Sequence, residues 1–414
     1  MKKTLKVIVI AIAAAAFLAA HAAAIEPFVK ELKSPTFSSP AFSLPGGAIP
    51  VEFDVAADSQ ATAATLTGSL DGKQAAAVTL DVALKTGPNN FDFNLPADTA
   101  PGMYDLCISF TGADGSAKQN CQPHSVSVVK SFDAPFTFVQ ITDFHVGDPR
   151  AEQQFPGIDI ERVRIAAIEE ANKQNPAFIL MTGDINSYSN SYDSDYPHGV
   201  KLIIDHAKAP TVIVPGNHDF YAWSDNTGKI IIDGSDYWPQ FYGPKHRVLD
   251  FGQFRFICFN SYDWPSEPRN MNKEYQSKAG LTHTYSGTLS KSEYQWVKNA
   301  LDTKGDLTPI LSAHHSPQTF EYMPQQWCKD CAGQTKFLAM INKYKVPYYI
   351  YGHIHANSDV KVKDTEYIAT TSAGSSVEGP EGEFWGIRIV NTAADRTIST
   401  KYIRLFDAPP MKDK

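Results

Sequence analysis

The chain has 414 residues, 43% hydrophobic and 20% charged, with a formal net charge of −8. That size and balance suit an ordinary globular protein of two domains, and they exclude collagen-like, coiled-coil and largely disordered chains. The acidic balance gives no general attraction to nucleic acid or anionic membrane, so a site that handles phosphate needs local positive charge.

Residues 1–24 read as a signal peptide. Lys2, Lys3 and Lys6 form a basic start, Val7 to Ala20 is an apolar run too short to span a bilayer, and Ala22 and Ala24 occupy the −3 and −1 positions of a cleavage site. The chain is therefore expected to be exported, periplasmic or secreted, with no transmembrane anchor after cleavage. Export permits disulfides. Cys107 and Cys121 flank a turn between two strands and are expected to pair. Cys328 and Cys331 are expected to close a local loop, because the flanks of a redox Cys-x-x-Cys are missing. Cys258, inside the apolar run Phe254–Phe259, is expected to be a buried free thiol.

Residues 25–133 form the next unit. A Ser/Pro/Ala-rich lead-in, Lys33 to Pro45, precedes short alternating runs such as Val51-Phe53-Val55 and Phe91-Phe93-Leu95, separated by Asp71-Gly72, Gly87-Pro88 and Pro101-Gly102. This spacing predicts a small antiparallel sandwich of immunoglobulin or fibronectin type.

From residue 134 to 414 apolar runs alternate with amphipathic segments. Strands are expected at Phe136–Thr142, Ala177–Thr182, Thr211–Pro215, Arg255–Asn260, Pro309–Ala313 and Val346–Tyr351. Helices are expected at Asp159–Asn175, His198–Ala207, Ser290–Thr303 and Thr335–Tyr344, and a β-rich tail follows. Such alternation implies a layered α/β fold.

Polar residues gather where the predicted strands end: Asp143-Phe144-His145, Gly183-Asp184, Gly216-Asn217-His218-Asp219, His314-His315-Ser316-Pro317 and Gly352-His353-Ile354-His355. Carboxyl ends of strands form the ligand crevice of α/β sheets. Mixed Asp, Asn and His donors suit first-row metals, and this set is too large for one closed site but right for two ions sharing a carboxylate. Gly183, Gly216 and Gly352 allow the backbone to turn and approach closely.

This ordered set resembles the calcineurin-like metallophosphoesterase family over Phe136 to Leu405. The resemblance implies a four-layer α/β/β/α sandwich and a hydrolase of phosphoric esters. It implies two divalent or trivalent ions (Mn, Fe or Zn), one on Asp143, His145 and His355, the other on Asn217, His315 and His353, with Asp184 bridging. His315 is chosen over His314 because the family pattern places one residue between the ligand and Pro317. The resemblance also implies catalytic roles for His218, which faces the substrate and protonates the leaving oxygen, and for Asp219, which orients its ring. A metal-bridging hydroxide would attack a phosphodiester or phosphomonoester. In layout the chain resembles purple acid phosphatases. Those enzymes, however, carry Gly where this chain has His145 and a Tyr where it has Ser187, so the Asp-x-His branch fits better.

Aromatic residues crowd the connecting segments: Phe220, Tyr221, Trp223, Tyr237, Trp238, Phe241, Tyr242, Trp264 and Trp327. They either cover a nucleotide, lipid or sugar group of the substrate or form small cores under long loops. The expected partner is a small phosphoester, nucleotide or lipid, with no stable nucleic-acid complex. The alternative function is an envelope binding protein whose second domain is a metal-stabilised scaffold.

Overall fold

Period-two alternation builds the amino-terminal sheets. The computed structural model describes residues 26–55, 60–70, 73–74, 78–81, 84–112, 114–133, 135–318, 326–328, 333–379 and 383–412. In it, Ala48–Val55 buries every second residue and pairs with Leu32–Ser34 and Gly87–Asn94. The opposing sheet contains Ala41–Ser43, Ala117–Val128, Gly102–Thr111 and Gln60–Leu70. Inward residues of both sheets, among them Ile49, Phe53, Phe93, Leu106, Ile108 and Val126, share one core. This is the all-β unit expected. Cys107 and Cys121 face each other on adjacent strands and form a disulfide. Cys328 is also disulfide-bonded, whereas Cys331 and the predicted signal peptide lie outside the described residues.

Two further sheets carry the rest of the chain. The first runs Thr211–Ile213, Ile179–Met181, Thr137–Ile141, Gly386–Thr392, Ile398–Arg404, with its first three strands parallel. The second runs Arg247–Phe251, Phe254–Cys258, Thr308–Ser312, Tyr348–Tyr351, Thr365–Ala369, Ser358–Val362, with its four inner strands parallel. These strands are short and apolar on both faces, as burial on both sides requires. Phe138, Leu180 and Val212 of the first sheet meet Phe256, Ile310 and Ile350 of the second. Their neighbours Val139, Ile179 and Ile213 face outward, against Ile160–Lys173 and Tyr192–His206. Likewise Leu311 and Tyr349 face Lys291–Asp302 and Gly333–Lys343. The four layers are helix, sheet, sheet, helix. Asp159 and Ser290 cap the first helix of each outer layer through side-chain oxygens.

Several elements differ from the sequence expectation or were not part of it. One outer helix starts at Tyr192 and runs through Pro197, not from His198, because Tyr192 and Tyr196 are buried anchors upstream of the proline. The edge strand Arg247–Phe251 was absent from the expected strands, because Arg247 and Asp250 interrupt its apolar run. The lead-in, for which the sequence suggested no contacts, is docked on the first of these sheets. The Ile213 amide donates to the Ser38 carbonyl at 2.9 Å and the Thr211 hydroxyl to the Phe37 carbonyl at 2.7 Å, so this segment covers the exposed edge of the first sheet. Phe37 packs against Tyr242, and Phe42 against Phe178 and Phe251.

Phe138 stacks on Phe178 and meets Phe256 edge-on, both with centroids 5.2 Å apart, between the two sheets. Phe138→Ala is expected to cost about 3–5 kcal/mol in denaturant unfolding. Cys258 is fully buried, and burial pushes its thiol up to about 12 despite Arg247 nearby. It should therefore resist a thiol reagent in the native protein and react once the chain is unfolded with disulfides intact.

Candidate metal centre

The parallel strands of both sheets end on one side, and the predicted ligands follow immediately. To turn there, the backbone adopts the left-handed region at Asp143 (φ 57°), His145 (φ 46°), Asp184 (φ 54°), His353 (φ 73°) and His355 (φ 51°). They are half of the non-glycine residues with such backbone among those described. Each costs on the order of 1–2 kcal/mol for an L-residue, so strain is concentrated at one place, as at functional sites. Glycine is needed at two neighbouring turns: a Cβ on Gly216 would collide with the Asp184 carboxylate, and one on Gly352 with the Thr142 hydroxyl.

Polar contacts lock the two sheets beneath these turns. Gln140 Nε2 donates to the Tyr351 carbonyl at 2.7 Å and to the Thr182 hydroxyl at 3.0 Å. His314 Nδ1 donates to the Thr182 carbonyl at 2.7 Å.

The side chains then converge. His145 Nε2 lies 3.1 Å from His355 Nε2, 3.3 Å from Asp143 Oδ1 and 3.4 Å from Asp184 Oδ2. Asp184 Oδ2 is also 3.1 Å from His314 Nε2, so this carboxylate stands between the two sheets' contributions. Asp143, His145 and His355 form one group with donor atoms all within 4.8 Å, His314, His315 and His353 another, and Asp143, Asp184 and His314 a third that joins them. Asn217 donates from Nδ2 to the Tyr221 hydroxyl at 2.7 Å, while its buried Oδ1 has no hydrogen-bond partner. The buried His314 Nε2 has none either. Bare donors of Asn and His beside two buried carboxylates are what a divalent cation satisfies, and the residues present fit the metals that the donor set implies.

Two of the expected site residues have partners the sequence did not suggest. His315 Nε2 donates to the Tyr285 carbonyl at 2.9 Å and its Nδ1 accepts from the Ser261 hydroxyl at 2.8 Å. Both nitrogens are engaged, and it is His314 that turns a free nitrogen toward Asp184. Asp219 does not orient His218. Its carboxylate accepts from the amides of Ile185, Asn186 and Gly216 and from the Asn186 side chain. His218 instead donates from Nδ1 to the Ser187 carbonyl at 2.9 Å, which leaves Nε2 for the site.

Electrostatics follow burial and neighbours. Burial opposes charge on Asp143 and Asp184, yet the surrounding histidines hold both carboxyls below the ordinary range. Burial also disfavours the charged form of His314, but Asp184 and Asp143 raise its pKa to about 9. Burial and the His314 charge lower His353 to about 3. His218 is lowered well below the usual value, chiefly by burial.

Several supporting residues escaped the sequence reading. Tyr221 holds Asn217, Thr142 donates to Asp143 Oδ2 at 2.7 Å, and the Ser376 carbonyl takes His355 Nδ1–H at 2.8 Å. Asp148 lies 3.6 Å from His145 Nδ1 and accepts from Arg150 and Ser375. Only Asp148 and Arg150 left a sequence signal, as charges in the same strand-end run as His145. Most of the crowded aromatics are core: Phe220, Tyr221, Trp238, Phe241, Tyr242 and Trp327 are buried.

A model of the calcineurin-like phosphoesterase family matches residues 136–357, more than half of the chain. The chain belongs to the calcineurin-like phosphoesterase family. Membership makes it a hydrolase of phosphoester bonds in a metal-dependent family, and every residue of the cluster just described, except the Ser372–Ser376 segment, falls inside the match. The chain is 24% identical over 289 residues to the 3′,5′-cyclic adenosine monophosphate phosphodiesterase CpdA of Escherichia coli K12, covering 66% of this chain and 92% of that protein. Among solved structures it is similar to a purple acid phosphatase from yellow lupin, with TM-score 0.51 and 13% identity over 90% of this chain and 72% of the other. A dimetal phosphatase from Danio rerio matches with TM-score 0.46 and 14% identity over 64% of this chain and 99% of the other. The lupin likeness concerns the fold and includes the amino-terminal sheets; the phosphoesterase site here has His145, and Ser187 contributes its carbonyl to His218.

Asp219→Ala would strand three buried amides. It is expected to destabilise the protein by about 3 kcal/mol or more in urea unfolding. Unchanged stability with lost activity would return Asp219 to a direct role beside His218.

Proposed function

We propose that the protein is an exported, binuclear metal-dependent phosphoesterase that hydrolyses a small phosphodiester or phosphomonoester. The observation that carries this reading is the buried meeting of Asp184 with both donor groups, together with the unpartnered Asn217 Oδ1 and His314 Nε2. Asp143, His145 and His355 would hold one ion, and Asn217, His314 and His353 the other, with Asp184 shared. His314 thus replaces His315 in the set expected from sequence. Ions such as Mn, Fe or Zn held there would supply Lewis acidity toward phosphoryl oxygens and would make water more acidic.

The protein's own groups do the rest. The Ser187 carbonyl fixes the His218 ring by Nδ1 and leaves Nε2 for the substrate side, where it can exchange a proton with the leaving oxygen. A carbonyl adds no counter-charge, so the ring is oriented without being held cationic. His355 and His314 are aligned by carbonyls in the same manner. The similarity to a cyclic-nucleotide phosphodiesterase puts cyclic AMP on the substrate panel beside nitrophenyl mono- and diesters. The predicted signal peptide supports export, and no helix among the described residues is long and apolar enough to cross a membrane.

Chelation should abolish turnover of the panel, and Mn, Zn or Fe should restore it. Asp184→Asn should lower kcat/KM by roughly 100-fold or more, and His314→Ala should lose metal while His315→Ala keeps most of it, read by elemental analysis. Undiminished activity in Asp184→Asn would sink the proposal. Cell fractionation tests export: the protein is expected outside the cytoplasm, shortened by the signal.

A further inference from the structure

Arg150 is a cation at the edge of the centre that no predicted ligand set uses. Its Nε donates to Asp148 Oδ2 at 2.6 Å and its Nη2 lies 3.2 Å from His145 Nδ1. Nη1 makes no hydrogen bond within the described residues, and the side chain is 36% exposed. The contrast with Arg164 is informative. That guanidinium is 4% exposed and is spent on the carbonyls of Phe144, His145 and Gly374 and on Glu161. Arg164 fixes the backbone; Arg150 has donors left over.

Placement adds a second argument. The Arg150 charge reaches His145, His218, Tyr188 and Tyr221, and the Asp184 carboxylate acts on it in turn. A permanent cation beside a centre built for cations is unfavourable unless an anion sits between them. Asp148 offsets one charge, but it is held on the inner side by Ser375 and lies near His145. The outer side of the guanidinium has donors and no acceptor. A planar fork of this kind matches two oxygens of a phosphoryl group.

Resting on the phosphoesterase reading above, we propose that Arg150 binds the substrate directly, its free guanidinium edge holding a non-bridging oxygen of the phosphoryl group beside His218. Arg150 would then set affinity for the phosphate portion of any ester, whatever alcohol it carries. Asp148 is the positioning residue that aims it.

The test uses the full mature chain loaded with metal, as wild type and as Arg150→Ala, Arg150→Gln and Arg150→Lys. Inorganic phosphate is the probe, its binding read by calorimetry, alongside elemental analysis and nitrophenyl ester kinetics. Because phosphate binding needs no turnover, failure of the phosphoesterase reading would show separately, as a wild type that binds phosphate and hydrolyses nothing. Arg150→Ala and Arg150→Gln are expected to retain metal and bind phosphate roughly 10–100-fold more weakly. KM should rise for mono- and diesters alike, Lys should recover part of the loss, and added guanidinium ion should partly rescue Ala. Unchanged phosphate affinity in Ala and Gln would overturn the proposal. So would loss of metal in both, which would make Arg150 a support for His145 alone.

Discussion

The left-handed backbone at the strand ends is the constraint on which the rest depends. Parallel strands from two sheets arrive side by side, and a regular exit would carry the chain away from the axis between them. Turning back at Asp143, His145, Asp184, His353 and His355 puts donors there at a steric cost that the fold must over-determine. Gln140 and His314 do so by tying the sheets together just below the turns. Asp219 does so by gathering three amides of neighbouring loops into one carboxylate. The apolar layer between the sheets keeps the two rows of strand ends level.

That division of labour explains a recurrent pattern in the hydrogen bonds. Each histidine of the centre that has one nitrogen tied to backbone points the other inward: His314 through Thr182, His355 through Ser376, His218 through Ser187. His315 has both nitrogens tied, to Tyr285 and Ser261, although its ring stands in one group with His314 and His353.

Much of this was legible beforehand. Strand ends were marked by apolar runs breaking into Gly, Asp, Asn and His, and those marks located the cluster and the layered fold. What failed was anything decided by side-chain direction after the strand. The resemblance chose His315 over His314 and paired Asp219 with His218, whereas the unpartnered nitrogen belongs to His314 and the Ser187 carbonyl takes the Asp219 place beside His218. Carbonyls carry no sequence signature. The same reason hid Ser187 and Ser376, which meet their histidines through the main-chain carbonyl. Tyr221 looked like one more loop aromatic; its hydroxyl's grip on Asn217 is invisible without coordinates. The helix over Pro197 was misread because its buried anchors lie before the proline.

The lead-in segment links assembly of the two halves. Residues around Phe37 and Ser38 hydrogen-bond to Thr211–Ile213, and that strand runs on through Val214 and Gly216 to Asn217. The Thr211–Phe37 contact joins residues 174 positions apart, so the strand that leads to Asn217 gains its edge partner only through a long loop closure. Contacts of that kind cost chain entropy before they return any stability, and they slow folding relative to local pairings.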